Sequence, residues 1–238
     1  MPLDLDLPIE RVRFSGELLY YMAPPARDGA RDARLERFLD HVQGPLERIV
    51  YLSTTGVYGD HRGAWVNEET SPAPQTARAV RRLAAENAVR GWAEARAVSW
   101  CILRVAGIYG PGRLPLERLR RGEPAISPQE ATPTNRIHVE DLASSCLMAG
   151  LAAFADGRIY NVADGTDDSL TSYLQRVARI GGLPQPPLIS RAEARERSSE
   201  SSWSFLGESR RVDNRRLREE LGVALAYADL DAGIRASL

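Results

Sequence analysis

Three consecutive hydroxyl residues, Ser53, Thr54 and Thr55, close a short apolar run, Ile49–Leu52, and lead into Gly56 and a turn at Gly59. A run this short and rich in Ile, Val, Tyr and Leu suits a strand covered on both faces. In an open parallel sheet, ligands bind beyond the carboxyl ends of the strands, so hydroxyls at such an end face a site. The same residue types also close strands and cap helices, and on this stretch alone both readings stand. A second exit of similar texture follows Trp100–Val105, where the chain reads Ala106-Gly-Ile-Tyr-Gly-Pro-Gly112.

Other reactive groups are sparse. His41, His61 and His138 are scattered, with no HExxH-type spacing, so no metal site is expected. Cys101 and Cys146 each lie among apolar residues and read as reduced core thiols rather than a disulfide or metal pair. Every one of the 31 basic residues is arginine. That excludes a Schiff base and leaves no lysine to tune a tyrosine or bind a ribose.

The 238 residues can form one large domain, or one domain with a small lobe, and a net charge of −1 gives no reason to expect a nucleic-acid or membrane partner. No apolar run is long enough to span a bilayer. The first residues are acidic rather than basic-then-apolar, so no signal peptide is expected and a cytoplasmic location is.

The elements that must position these groups follow from periodicity. Leu3–Leu7 alternates with period two, as a short edge strand would, and Glu17–Ala23 reads as a buried strand stopped by Pro24-Pro25. Helices are expected over Asp28–Val42 and Thr76–Ala97, the second with Val80, Leu83, Ala84, Ala88, Trp92 and Ala95 on its apolar face. Three strands alternating with two helices predict a parallel α/β sheet with right-handed crossovers. Beyond about Leu114 the texture changes to a short basic helix (Leu116–Arg121) and a short strand (Ile137–Val139). A helix over Leu142–Ala153 capped by Asp141, a strand at Arg158–Val162, and helices at Leu170–Ile180 and Asn214–Leu221 follow. This reads as a small lobe folded over the carboxyl edge of the sheet.

The order of landmarks is specific. It runs Ser-Thr-Thr-Gly-Val-Tyr-Gly, a Pro-flanked loop, a helix carrying Ala-Ala-Glu86, and Leu-Arg-Val-Ala-Gly-Ile-Tyr-Gly-Pro-Gly. Arg-Ile-His-Val-Glu-Asp-Leu-Ala, Ile-Tyr-Asn-Val-Ala-Asp-Gly and Val-Asp-Asn-Arg-Arg-Leu-Arg-Glu-Glu-Leu-Gly complete it. From about Leu3 to the C-terminus the chain resembles the extended short-chain dehydrogenase/reductase superfamily, the NAD-dependent epimerase/dehydratases, and most of all its atypical, bacterial YeeZ-like branch. The resemblance implies a Rossmann-like parallel sheet over residues 1–113, N-terminally truncated. A substrate lobe interleaved with the last core elements would occupy 114–238.

It also implies NAD or NADP as cofactor and a small-molecule substrate, a sugar nucleotide or another small molecule. Thr54 matches the catalytic Ser/Thr that hydrogen-bonds and polarises a substrate oxygen. Ala23, Pro24, Pro25, Ser53, Arg82, Val105, Ala106, Gly107 and Ile108 fall along the cofactor edge, and Tyr109, Arg136 and His138 on the substrate side. Asp213–Arg215 lie in the C-terminal motif that closes the lobe. A homodimer pairing the Asp28–Val42 and Thr76–Ala97 helices is implied as well.

The departures are as informative. The family's Tyr-x-x-x-Lys pair falls on Arg78 and Arg82; arginine stays protonated and cannot take the proton that the tyrosine exchanges. Tyr58 and Tyr109 are the nearest other phenols. Thr134 stands where nucleotide-sugar epimerases place a phosphate-binding arginine, with Arg136 two residues on. The opening Gly-x-x-Gly-x-x-Gly that would hold a pyrophosphate is not found, as if the chain began near the third strand, either because Met1 is internal or because the protein is naturally short. Two readings follow: an NAD(P)-dependent epimerase/dehydratase-like or reductase-like enzyme, or a relative that kept the lobe and lost the chemistry.

Overall fold

The computed structural model describes residues 4–7, 12–13, 17–26 and 28–238. Four parallel strands form its central sheet: β1 (Leu18–Tyr21), β2 (Arg48–Thr54), β3 (Ser99–Val105) and β4 (Arg158–Val162). They lie in the order β4-β3-β2-β1, and among the described residues β1 is bonded to β2 alone. This is the parallel α/β architecture that the alternation of runs predicts.

The strands are apolar on both faces because both are covered. Leu19, Tyr21, Ile49, Tyr51, Trp100 and Ile102 pack on one side with α1 (Ala33–His41) and α2 (Ala77–Glu94). Val50, Cys101, Leu103, Val105, Tyr160 and Val162 pack on the other with α3 (Val139–Leu151). Both cysteines are buried there, and burial pushes the Cys101 thiol up to about 12 and the Cys146 thiol up to about 11, as inert core thiols require. The residues from Gly107 onward add short paired segments and a third core of Tyr109, Leu119, Tyr173, Leu174, Val177, Leu230 and Ile234. Among the described residues no helix is long and apolar enough to cross a membrane.

Local chemistry sets the ends of the elements. Asp32 caps α1 by accepting from the Leu35 amide at 3.3 Å, and Thr76 caps α2 through the Ala79 amide at 3.3 Å. Arg48, at the start of β2, donates to the carbonyls of Ala149 and Gly150 at 3.1 Å and Ala152 at 2.5 Å, closing the C-terminal end of α3.

Four expectations are corrected. Of the Leu3–Leu7 alternation, Leu3 lies outside the described residues and Asp4–Leu7 forms a turn, with Asp6 held by Arg34 at 2.6 Å instead of pairing in a sheet. The α3 cap is His138, whose Nδ1 accepts from the Glu140 amide at 3.3 Å; Asp141 is buried and instead accepts from the amides of Ala226 and Tyr227 at 2.8 and 3.0 Å. The buried stripe of α2 runs through Ala79, Ala85, Glu86, Val89, Trp92 and Ala93, leaving Val80 38% exposed and Ala95 outside the core. A charged residue inside that stripe hid it from hydrophobic periodicity. The helix expected over Asn214–Leu221 is present, but shorter and in wide-turn form, over Arg216–Glu220.

Candidate active site

The carboxyl ends of β2 and β3 open onto a cavity of about 460 Å³. Its floor is Thr54–Gly56, one wall Ala106–Ile108, another Pro133–Asn135, and its remaining side comes from Arg78 of α2 and from Ser204, Phe205, Glu208 and Arg210 of the C-terminal segment. Arg113 also lines it; its amide donates to the Gly110 carbonyl at 3.0 Å, and among the described residues its guanidinium forms no ion pair or hydrogen bond. A second cavity of about 310 Å³, lined by Arg118, Ile126, Thr171 and Ser202 among others, shares Thr134 with the first as a wall residue.

Thr54 ends β2 in extended conformation, and its hydroxyl accepts from the Gly56 amide at 3.2 Å. The hydrogen of that hydroxyl is left to donate into the cavity. Gly59, at φ +75°, turns the chain beneath it, and a Cβ there would overlap the carbonyl oxygen of Ala73.

α2 presents Arg78, Arg82 and Glu86 on one face, one helical turn apart. Arg78 donates to the Ser204 hydroxyl at 3.0 Å and the Ser204 carbonyl at 3.2 Å, and its guanidinium lies 3.3 Å from the centroid of the Phe205 ring. Arg82 donates to the Tyr51 hydroxyl and the Leu52 carbonyl at 3.0 Å and to the Ala23 carbonyl at 3.5 Å. It thereby joins the ends of β1 and β2, where Ala23, Pro24 and Pro25 leave the sheet. Glu86 accepts from Arg104 at 2.8 and 3.1 Å, with both side chains almost wholly buried.

That buried pair anchors a polar layer under the cavity. The Ser53 hydroxyl donates to Glu86 at 2.5 Å, Arg104 lies over the Tyr58 ring at 4.8 Å, and the Tyr58 hydroxyl donates to Asn161 at 2.8 Å. Asn161 in turn donates to the Asp213 carbonyl at 3.1 Å, reaching the C-terminal segment. Burial pushes the Tyr58 phenol above its ordinary value.

The structure thus sorts the expected site residues. Thr54, Ala106, Gly107 and Ile108 share the cavity. Ser53 is turned to Glu86, because successive strand residues face opposite ways, and Val105 is 5% exposed within the core. Three residues expected on the substrate side lie beneath the surface instead. Tyr109 is buried, edge-on to His138 and Tyr173, with its phenol in the space that a Cβ of Gly233 would fill; burial raises its pKa. His138 is fully buried, caps α3 and packs against the tilted ring of Tyr227, with centroids 3.9 Å apart. Arg136, 5% exposed, donates to the Thr134 hydroxyl at 2.8 Å and lies over the Tyr173 ring, so it supports the cavity wall from behind. Each is drawn inward by the aromatic core of the C-terminal part.

Sequence reasoning missed Asn135, Glu208 and Arg210. Asn135 donates to the Arg210 carbonyl and accepts from the Val212 amide, both at 2.9 Å. Arg210 donates to the Gly59 carbonyl at 2.9 Å and the Thr55 carbonyl at 3.4 Å, and pairs with Glu208 at 2.8 Å. The only local signal was the charge pair two residues apart, which a solvated loop would also show. Among the described residues no cluster of His, Cys, Asp and Glu could hold a metal ion.

The family model for the NAD dependent epimerase/dehydratase family matches residues 35–163. The Escherichia coli K12 protein YeeZ is 30% identical over 224 residues, which cover 90% of this chain and 72% of that protein. The chain belongs to the NAD-dependent epimerase/dehydratase family. A functionally unknown conserved protein from Silicibacter pomeroyi is 34% identical, with a TM-score of 0.76 over 92% of this chain and 76% of that one. The fold extends to more distant enzymes. UDP-glucose 4-epimerase from Thermotoga maritima, solved with UDP-glucose, superposes with a TM-score of 0.73 at 19% identity, over 93% of this chain and 75% of that one.

Proposed function

We propose that the chain is an epimerase-like protein that uses a nicotinamide dinucleotide, of the NAD type by family, on a hydroxylated small molecule, with a nucleotide sugar as the first substrate to test. The observation that carries this reading is the meeting of Thr54 with Ala106–Ile108 in one cavity at the carboxyl ends of β2 and β3. Two neighbouring cavities that share Thr134 in their walls suit a molecule with two parts, a reacting end by Thr54 and a second moiety toward Arg118 and Thr171.

The residues at the strand ends fit the nicotinamide end of the cofactor. Ala106 and Ile108, the latter 38% exposed, offer an apolar wall, and Arg82 holds a fixed positive charge at the Ala23 carbonyl. When bound, the cofactor would take and return a hydride. Thr54 would donate its hydroxyl hydrogen to the substrate oxygen and steady the charge that develops there. Arg78, standing at the position of the family's tyrosine, anchors Ser204 and Phe205 over the cavity and exchanges no proton.

Calorimetric titration of NAD+, NADP+ and UDP-glucose into the chain, followed by product analysis with UDP-glucose, tests this reading. Binding of a dinucleotide and interconversion at a sugar carbon are expected. A well-folded protein that binds none of the three would overturn it.

A further inference from the structure

We propose that Glu208 is the proton acceptor of this cavity, in the role that Arg78 cannot fill. The inference rests on the oxidoreductive reading above. Oxidising an alcohol carbon leaves a hydroxyl proton to be placed, and a group within hydrogen-bond reach must take it. Of the side chains that line the cavity, Arg78, Arg113 and Arg210 stay protonated, and the threonines, Ser204 and Asn135 are not bases. Glu208 is the one carboxylate among them. The phenols of Tyr58 and Tyr109 do not line the cavity: the first donates to Asn161, and the second, buried and without a hydrogen-bond partner among the described residues, lies in the layer beneath against Gly233.

The setting of Glu208 is that of a held base. Its side chain is 9% exposed. One oxygen, Oε2, pairs with Arg210 at 2.8 Å, while Oε1 is buried and has no hydrogen-bond partner among the described residues. A buried carboxylate oxygen without a donor is costly, and a substrate hydroxyl is a donor that would satisfy it. Arg210 fixes the carboxylate against the carbonyls of Gly59 and Thr55, so the base is braced on the backbone next to Thr54. Arg78 and Arg210, from two different elements, are the charges that face Glu208.

The step balances as follows. The substrate O–H bond breaks and its proton forms a bond to Glu208 Oε1, turning the carboxylate into a carboxylic acid. With an oxidised nicotinamide bound, the oxidant by class, the electron pair of the adjacent C–H bond would leave to it as hydride and the carbon–oxygen bond would become a carbonyl. Return of hydride to either face, with the proton handed back from Glu208, regenerates an alcohol.

The test compares wild type, Glu208→Gln and Glu208→Asp, each checked for a wild-type thermal transition, with NAD+ and UDP-glucose as probes. Binding is followed by calorimetry in two buffers of different ionisation enthalpy, which reports protons taken up, and turnover by nicotinamide absorbance and product analysis. Glu208→Gln is expected to lower turnover by about 100-fold or more, to leave UDP-glucose affinity within about threefold, and to abolish the acidic limb of the pH–rate profile, with partial recovery in Glu208→Asp. Glu208→Gln with turnover within about tenfold of wild type overturns the proposal and leaves the oxidoreductive reading intact. A wild type that binds both probes but forms no product at a sugar carbon also overturns it. A folded wild type that binds neither probe overturns both.

Discussion

Ser53 and Thr54 are neighbours on one strand with nearly the same chemistry, and the fold gives them opposite roles. Ser53 faces the buried layer in which Glu86, Arg104, Tyr58 and Asn161 are linked through hydrogen bonds, an ion pair and a ring contact, with only Arg104 Nη1 of these side chains left without a hydrogen-bond partner among the described residues. Thr54 faces the cavity, which Glu208 and Arg113 also line, and among the described residues Glu208 Oε1 and the Arg113 guanidinium have no hydrogen-bond partner. The difference is one residue of strand pleat. It shows where stability and reactivity are separated in this molecule: the paired layer holds the sheet, α2 and the C-terminal segment in register, and the unpaired layer above it is free to engage a ligand.

Substitutions in the two layers should therefore differ in kind. The largest effect is expected from Glu86→Leu, which leaves Arg104, 3% exposed, as a buried unpaired charge and costs about 3–5 kcal/mol of stability. Urea denaturation measures it. Pairing it with Arg104→Met should recover most of the loss, and a double variant as unstable as the single would mean that the pair is not what holds this layer. Gly59→Ala comes next. Its positive φ and the collision of a Cβ with the Ala73 carbonyl predict a loss of about 2–4 kcal/mol, since strain and overpacking add. The thermal transition would show it, and an unchanged Tm would mean that the turn under Thr54 is softer than its geometry implies.

How much of this was legible in the sequence follows the same division. The sheet was legible because Ile49–Leu52 and Trp100–Val105 are short apolar runs, and their crossovers leave one handedness. Thr54 and Ala106–Ile108 were legible because strand ends in such a sheet form sites. The buried stripe of α2 was not, since Glu86 is neutralised by a residue 18 positions away that no helical period reveals. Glu208 and Arg210 were not legible either. Arg210 reaches a carbonyl 151 residues earlier in the chain, a contact that only tertiary folding creates. Tyr109 and His138 looked like site residues because they follow a glycine-rich exit and a landmark motif, yet aromatic packing against Tyr173 and Tyr227 turns them inward.

A sharper version of the comparison replaces the two hydroxyls one at a time. Ser53→Ala removes a hydrogen bond to a buried carboxylate and should cost about 1.5–3 kcal/mol while leaving ligand affinity unchanged. Thr54→Ala removes the acceptor of one amide hydrogen bond and should cost only about 0.5–1 kcal/mol. Its effect should appear in turnover, about 100-fold down, as for other lost donors to a developing charge. Chemical denaturation and steady-state rates measured side by side would separate the pair. Equal losses in both quantities for both variants would erase the distinction between the layers.

The smallest expected effect is one of pH. Asp164 is buried, with Oδ1 accepting from the Thr166 amide and hydroxyl and Oδ2 unpartnered, and burial raises its pKa above the ordinary value of 3.8. The folded state therefore binds this proton more tightly than the unfolded chain does. Its contribution to stability is greatest below the unfolded value and declines as pH rises through the raised folded value. Asp164→Asn removes that decline. Whatever the absolute cost of losing a negative charge near Arg136, the Tm of the variant relative to wild type should be higher at pH 7 than at pH 4. Thermal unfolding across that interval measures the difference, and a variant whose relative Tm falls toward pH 7 would mean that Arg136 holds Asp164 ionised more strongly than burial opposes it.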